Sequence, residues 1–391
     1  MGGSGEHVRS IAMKILFFDA GSYTYWDILA AFKEMGHSCK TVYYHFKDRY
    51  EDAFFEERME QYLAEAAYDL VFSVNFFPLA AKVCKQNHVK YISWSYDSPL
   101  DERLQNYFHY ETNRIYLFDR LEAVEYQNKG FRNVYHLPLA VNTGRLDTLL
   151  KKPMPMQKYR SEISFVGQIY DSMLDMLLYP AGDYERGFLQ GILQAQLRVY
   201  GYYFVEELIS EELLESINHS YEAFGQKAAT LTRCGFSHAV ALEITQRERC
   251  EILKRADSRF DTHLYTYTSA LEEGMPANYG PLKYYEEMPF VFRNSKLNLN
   301  ITLKDIRSGI PLRALDIMGS RGVLLSNYQP ELAEMFEDGK DVILYESVED
   351  AVEKMDFYLK REDLRERIAK SGYRKVCEHF SYRERLMQML Q

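Results

Sequence analysis

The densest chemistry in the chain lies in one stretch, where Arg307, Ser308, Gly309, Arg313 and Asp316 follow one another closely. A guanidinium offers a planar fork of donors that matches a phosphate. A Ser-Gly pair flanked by arginines directly before a helix adds backbone N–H groups, an arrangement suited to an anion. Arg313 and Asp316 are three apart and share a helix face. A cation for phosphate beside a carboxylate for sugar hydroxyls is what a nucleotide-sugar pocket needs. Arg313 and Asp316 alone would serve equally well as a surface ion pair on a βαβ unit. The loop before them favours the ligand reading.

Other candidates are more scattered. Asp97, in SWSYDSPL, ends a strand that Pro99 prevents from continuing. It fits a general base or a ligand for a sugar hydroxyl, and taken alone it fits better a turn residue satisfying the backbone before Pro99. Gly21, Tyr23 and Asn75 fall at or just beyond strand ends and are candidates for the acceptor side. Gly167 and Gln168 end the first strand of the second half, where a diphosphate commonly sits. Gly21-Ser22-Tyr23 is no G-x-G-x-x-G fingerprint, and no P-loop, G-x-S-x-G elbow or H-E-x-x-H spacing occurs. No metal ligand set is expected.

The elements that must position these residues are legible in the hydrophobic pattern. Leu297, Leu299 and Ile301 alternate with Asn298 and Asn300, as in a strand. Pro311 suits a first helical turn, Gly319 and Gly322 close the helix, and VLLS opens another strand. Upstream, strands are expected at 14–20, 39–46, 70–75, 90–97, 114–119 and 133–140, with helices at 25–35, 51–67, 78–87 and 120–129 between them. Such alternation predicts a parallel sheet covered on both faces, with ligands beyond the carboxyl ends of its strands. The expected organisation is an N-terminal domain over 13–150, a proline-containing linker over 151–160 and a second domain over 161–379. That second domain carries a helical insert at about 171–256. A last helix at 380–391 would pack back on the first domain, and residues 1–12 read as an expression leader.

The chain has 391 residues, 47% hydrophobic and 27% charged, with a formal net charge of −10. That charge argues against nucleic acid as a partner. Five scattered cysteines, none in a C-x-x-C pair, suggest reduced thiols in a cytoplasmic protein. No apolar run reaches the length of a membrane span.

The C-terminal half resembles the group-1 glycosyltransferase domain of the GT-B fold, in the branch of CgeB-like spore maturation proteins. The runs that carry the resemblance are NSKLNLNI (294–301), PLRALDIMGSRGVLL (311–325), LAEMFEDGKDVILY (332–345) and LRERIAKSGYRKVCEHFSYRERL (364–386). VFSVNFFPLA with YISWSYDSPL (71–80 and 91–100) is similar to the domain that often precedes it. The resemblance implies two Rossmann-like domains facing a cleft, with a nucleotide-sugar donor on the C-terminal one and an unidentified acceptor on the other. It implies transfer from a donor such as a UDP-sugar without a cofactor or metal, helix dipoles and basic side chains stabilising the leaving diphosphate. Asp316 falls where the family has a ribose-binding glutamate, and Arg313 on an arginine near the phosphates. Two departures stand out. Ser308 occupies the position of the first of two acids that many retaining members carry, and Gln168 replaces an arginine that commonly follows the glycine. A non-catalytic binding protein and a nucleotide-sugar epimerase of the same fold are the alternatives.

Overall fold

The structure, a computed structural model, describes residues 12–153, 156–223 and 231–391. The expected leader lies outside this range except for Ala12, as do Met154 and Pro155 of the expected linker.

The first sheet contains β1 (Lys14–Asp19), β2 (Ser38–Tyr43), β3 (Leu70–Val74), β4 (Lys90–Ser95), β5 (Asn113–Leu117) and β6 (Val134–His136), in the order β2-β1-β3-β4-β5-β6. Every pairing is parallel. The apolar run in β1 explains this placement. Ile15 and Phe17 enter the core on one face, while Leu16 and Phe18 enter a second core on the other. A strand buried on both faces belongs inside a helix-covered parallel sheet.

The second sheet contains β7 (Ile163–Val166), β8 (Thr262–Tyr265), β9 (Leu297–Asn300), β10 (Leu324–Asn327) and β11 (Ile343–Tyr345), ordered β11-β10-β9-β7-β8 and again parallel. Leu297 and Leu299 face an apolar cluster, and Asn298 and Asn300 are buried on the opposite side. The asparagines are satisfied there: Ser164 donates to Asn298 Oδ1 (2.8 Å) and Asn300 donates to Ser326 Oγ (2.9 Å). The helix Leu312–Gly319 follows β9, with Pro311 at its N-cap instead of in its first turn and no side chain capping it.

Between β7 and β8 run the helices Leu174–Leu177, Asp183–Gln196, Val205–Leu208, Glu211–Ala223 and Arg233–Asp257. They enclose an apolar cluster of their own, including Leu189, Ile217, Phe236 and Ile244. The C-terminal helix Tyr382–Leu390 lies against the helix Tyr25–Glu34 of the first domain, and Val141 N–H donates to Phe380 O (2.9 Å). One continuous apolar cluster thus reaches from Ile15 through Ile310 and Leu315 to Met389 and joins the domains. Among the described residues, no helix is long and apolar enough to cross a membrane.

Candidate donor pocket at the domain boundary

The loops at the carboxyl ends of β7, β8 and β9, with the start of the helix Leu312–Gly319, enclose a cavity of about 510 Å³. Gly167, Gln168, Arg313 and Asp316 line it, and Tyr23 enters from the N-terminal domain. These five were expected at a donor or acceptor site, and the fold brings them to one cavity from distant parts of the chain.

Asp316 is the most perturbed of them. It is buried, its Oδ1 accepts from the Tyr284 hydroxyl at 2.9 Å, and its Oδ2 lies 3.7 Å from Arg313 Nη1. Burial pushes its carboxyl up to about 6, against the pull of Arg313 and Tyr284. Arg313 stacks over Phe292 (5.4 Å) and touches the Met288 sulfur, and burial holds its guanidinium below its ordinary value. At 3.7 Å the ion pair is loose, so donors remain for a ligand.

A second guanidinium, Arg249, was not anticipated. It comes from the last helix of the insert, is buried, and lies over the rings of Tyr170 and Phe165. It donates to the carbonyls of Ile301 and Gln168, at the ends of β9 and β7. Carbonyls leave its charge uncancelled, so it adds a positive field to the cavity wall beside Gly167. The signal was present in the sequence: Thr245, Arg249, Ile252 and Ala256 share the buried helix face, and an arginine in such a stripe needs an internal partner.

Arg307, Ser308 and Gly309 go elsewhere, which corrects their expected part in holding a diphosphate. They form a clasp between the domains. Asp119 Oδ2 accepts from the backbone N–H groups of Ser308 (2.8 Å) and Gly309 (3.2 Å), and Ser308 Oγ lies 3.0 Å from Asp119 Oδ1 and 2.8 Å from Glu331 Oε1. Leu121 N–H donates to the same hydroxyl (3.1 Å). Arg307 pairs with Glu125 of the N-terminal domain (2.7 Å). A Cβ on Gly309 would come within 2.8 Å of the Phe118 ring and 3.0 Å of the Asp119 backbone, so only glycine allows this approach. The N–H groups that looked free for an anion are taken by a carboxylate of the other domain.

Asp97 and Asn75 stand together in a separate groove. Asn75 has φ +64°, receives the Tyr96 N–H on Oδ1 (2.8 Å) and donates to Asp97 Oδ2 (2.7 Å). Gly21 enters neither space. Its φ is +97° and its N–H donates to Asp19 Oδ1 (3.2 Å), a tight turn at the end of β1. Among the described residues, no group of three His, Cys, Asp or Glu side chains could hold a metal ion.

A family model described as glycosyl transferase-like matches residues 246–391, the segment that holds Arg249, Arg313 and Asp316. Solved structures match nearly the whole chain. A glycosyltransferase from Rickettsia africae has a TM-score of 0.57 at 9% identity, covering 97% of both chains. Anabaena Alr3699/HepE in complex with UDP and glucose has a TM-score of 0.53 at 10% identity, covering 97% of this chain and 99% of that one. Sucrose-phosphate synthase from Thermosynechococcus elongatus has a TM-score of 0.54 at 10% identity, covering 97% and 98%. At such identities the likeness defines the fold, which is GT-B: two Rossmann-like domains facing a cleft. No curated protein matches the chain.

Proposed function

We propose that the protein is a glycosyltransferase that moves a sugar from a UDP-sugar to a hydroxyl acceptor without a metal ion. The observation that carries this reading is that half-buried Arg313, buried Asp316 and buried Arg249 line one cavity. Its volume of about 510 Å³ is in the range of small-molecule sites. Asp316 receives the ribose hydroxyls. Arg313, Arg249 and the uncapped start of the helix Leu312–Gly319 neutralise the diphosphate as it leaves, which is the electrostatic role a metal would otherwise share. Arg249, against the Gln168 carbonyl, supplies the charge that Gln168 itself lacks. The choice of UDP is supported by the UDP complex of the Anabaena protein. The likeness to the CgeB-like branch rests on the sequence runs alone.

Slow hydrolysis of the donor tests the reading. Incubated with UDP-glucose and related UDP-sugars in the presence of EDTA, the protein should release UDP above the uncatalysed rate. Release from none of the UDP-, GDP- or ADP-sugars would favour the non-catalytic alternative, for which the burial of Ser308 at the expected position of an acid is the supporting observation.

A further inference from the structure

A second groove, of about 600 Å³, opens at the carboxyl ends of β3 and β4, beside β1 and the turn after it that carries Tyr23 of the donor cavity. The loop that follows β9 reaches both that cavity and a recess adjoining this groove. Leu303 and Ile306 of that loop face the donor cavity, while Asp305 and Arg307 face an adjoining recess on the other side. One wall of the groove is the carboxyl ends of β3 and β4, with Asn75 and Asp97. The beginning of the insert helix Arg233–Asp257 also lines it.

His238 projects from this helix and lines both the groove and the recess. Its Nδ1 lies 2.5 Å from Asp305 Oδ2, and Asp305 is only 6% exposed. A buried carboxylate on one ring nitrogen fixes the orientation of the imidazole and leaves Nε2 for the groove. The hydrogen bond to Asp305 raises the imidazole above its ordinary value. In the same groove, Asn75 holds only Oδ2 of Asp97, so Oδ1 is left for a ligand. Arg49 also lines the groove. It donates to Phe76 O through Nη2 (3.1 Å), and its Nε is buried without a partner.

The groups on offer are mixed. Asp97 accepts, Arg49 donates, and the imidazole does either. An anion would meet Asp97 and Glu102 and a cation would meet Arg49, while Asp101 and Arg103 neutralise each other in a 2.6 Å pair. A hydroxyl both donates and accepts, so several hydroxyls on one rigid frame satisfy such a set. We propose that this groove is the acceptor site, that the acceptor is a neutral saccharide, and that His238, oriented by Asp305, and Asp97 each bind one of its hydroxyls. The proposal rests on the transferase reading. It also gives the helical insert a role, since the insert closes the acceptor site from the side of the donor domain.

Saturation-transfer NMR on the full chain with UDP present tests it, using glucose, galactose, mannose, N-acetylglucosamine and maltose as probes at millimolar concentration. At least one saccharide should bind, and His238→Gln and Asp97→Asn should each weaken it by about tenfold. The affinity for UDP should be unchanged in both variants. Asp97 is exposed, so Asp97→Asn serves even if the histidine variant folds poorly. Asp305→Asn should alter the His238 ring-nitrogen chemical shifts, which report its tautomer, and weaken the same saccharide. Absence of binding by every probe, or binding that survives both His238→Gln and Asp97→Asn, would overturn the proposal. Failure of UDP to bind the unsubstituted protein would instead overturn the donor reading, and the saccharide signals would still report on the groove.

Discussion

Asp316 shows how one side chain's surroundings prepare it for a ligand. Its carboxyl is raised to about 6 because burial disfavours the charge more than Arg313 and Tyr284 restore it. In the free protein this acid therefore keeps its proton to higher pH than in the unfolded chain. Its contribution to stability is lost as pH climbs from about 4 to about 6. Hydroxyl donors from a ribose favour the ionised form, so the sign for binding is opposite. UDP affinity should rise with pH through about 6 and then level. The terminal phosphate of UDP titrates in the same range, so the quantity to read is the difference between the unsubstituted protein and Asp316→Asn. Calorimetry at steps from about pH 5 to about pH 8 should show a step in the former that the variant lacks. Identical profiles would remove Asp316 from the ribose. The sequence exposed Asp316 and Arg313 through their helical spacing. For Arg249 the buried stripe of its helix marks the residue but not its partners, which are backbone carbonyls at the ends of two strands far away in the chain.

At the scale of elements, the loop after β9 departs most from its sequence reading. Arginines around Ser-Gly before a helix suit an anion, and here the anion is Asp119 of the facing domain. A local motif specifies the charge of its partner and leaves the partner's identity to the tertiary fold. Ser308 falls where an acid was expected, yet it is fully buried between Asp119 and Glu331. Its work is structural on this geometry. Ser308→Ala leaves two carboxylates without a shared donor and Leu121 N–H without an acceptor, and should cost roughly 1–3 kcal/mol. Chemical denaturation reads that loss, while UDP affinity should stay within about twofold, below what one lost hydrogen bond costs. A large loss of UDP affinity at unchanged stability would return Ser308 to the donor site. Elsewhere the elements followed the pattern closely. The apolar runs became strands because both faces of both sheets are covered. Asn298 and Asn300, the polar half of the alternation in β9, are buried too, and Ser164 and Ser326 satisfy them inside.

At the scale of the whole molecule, two parallel sheets of separate strand order are welded by one apolar cluster. The alternation of strands and helices made that architecture legible, because each βαβ unit announces itself locally. The interface between the domains was not, since it depends on which helix faces meet. The last helix was expected against the first domain, yet the residues it meets there were not legible: Tyr382 packs on Trp94 and Leu386 enters the shared cluster. This joining of the domains brings Tyr23 of one and Arg313 of the other to the same donor cavity. Everything proposed for the donor side depends on this cavity binding a nucleoside diphosphate through Arg313. The decisive measurement is isothermal titration of UDP against the full chain and Arg313→Ala, at low salt and about pH 7.5, where UDP is fully ionised. Saturable binding by the unsubstituted protein is expected, with a loss of roughly 1.5–3 kcal/mol in the variant, both proteins being measured well below their melting temperatures. Equal UDP affinity in the two proteins, or no binding by either, would refute the donor site.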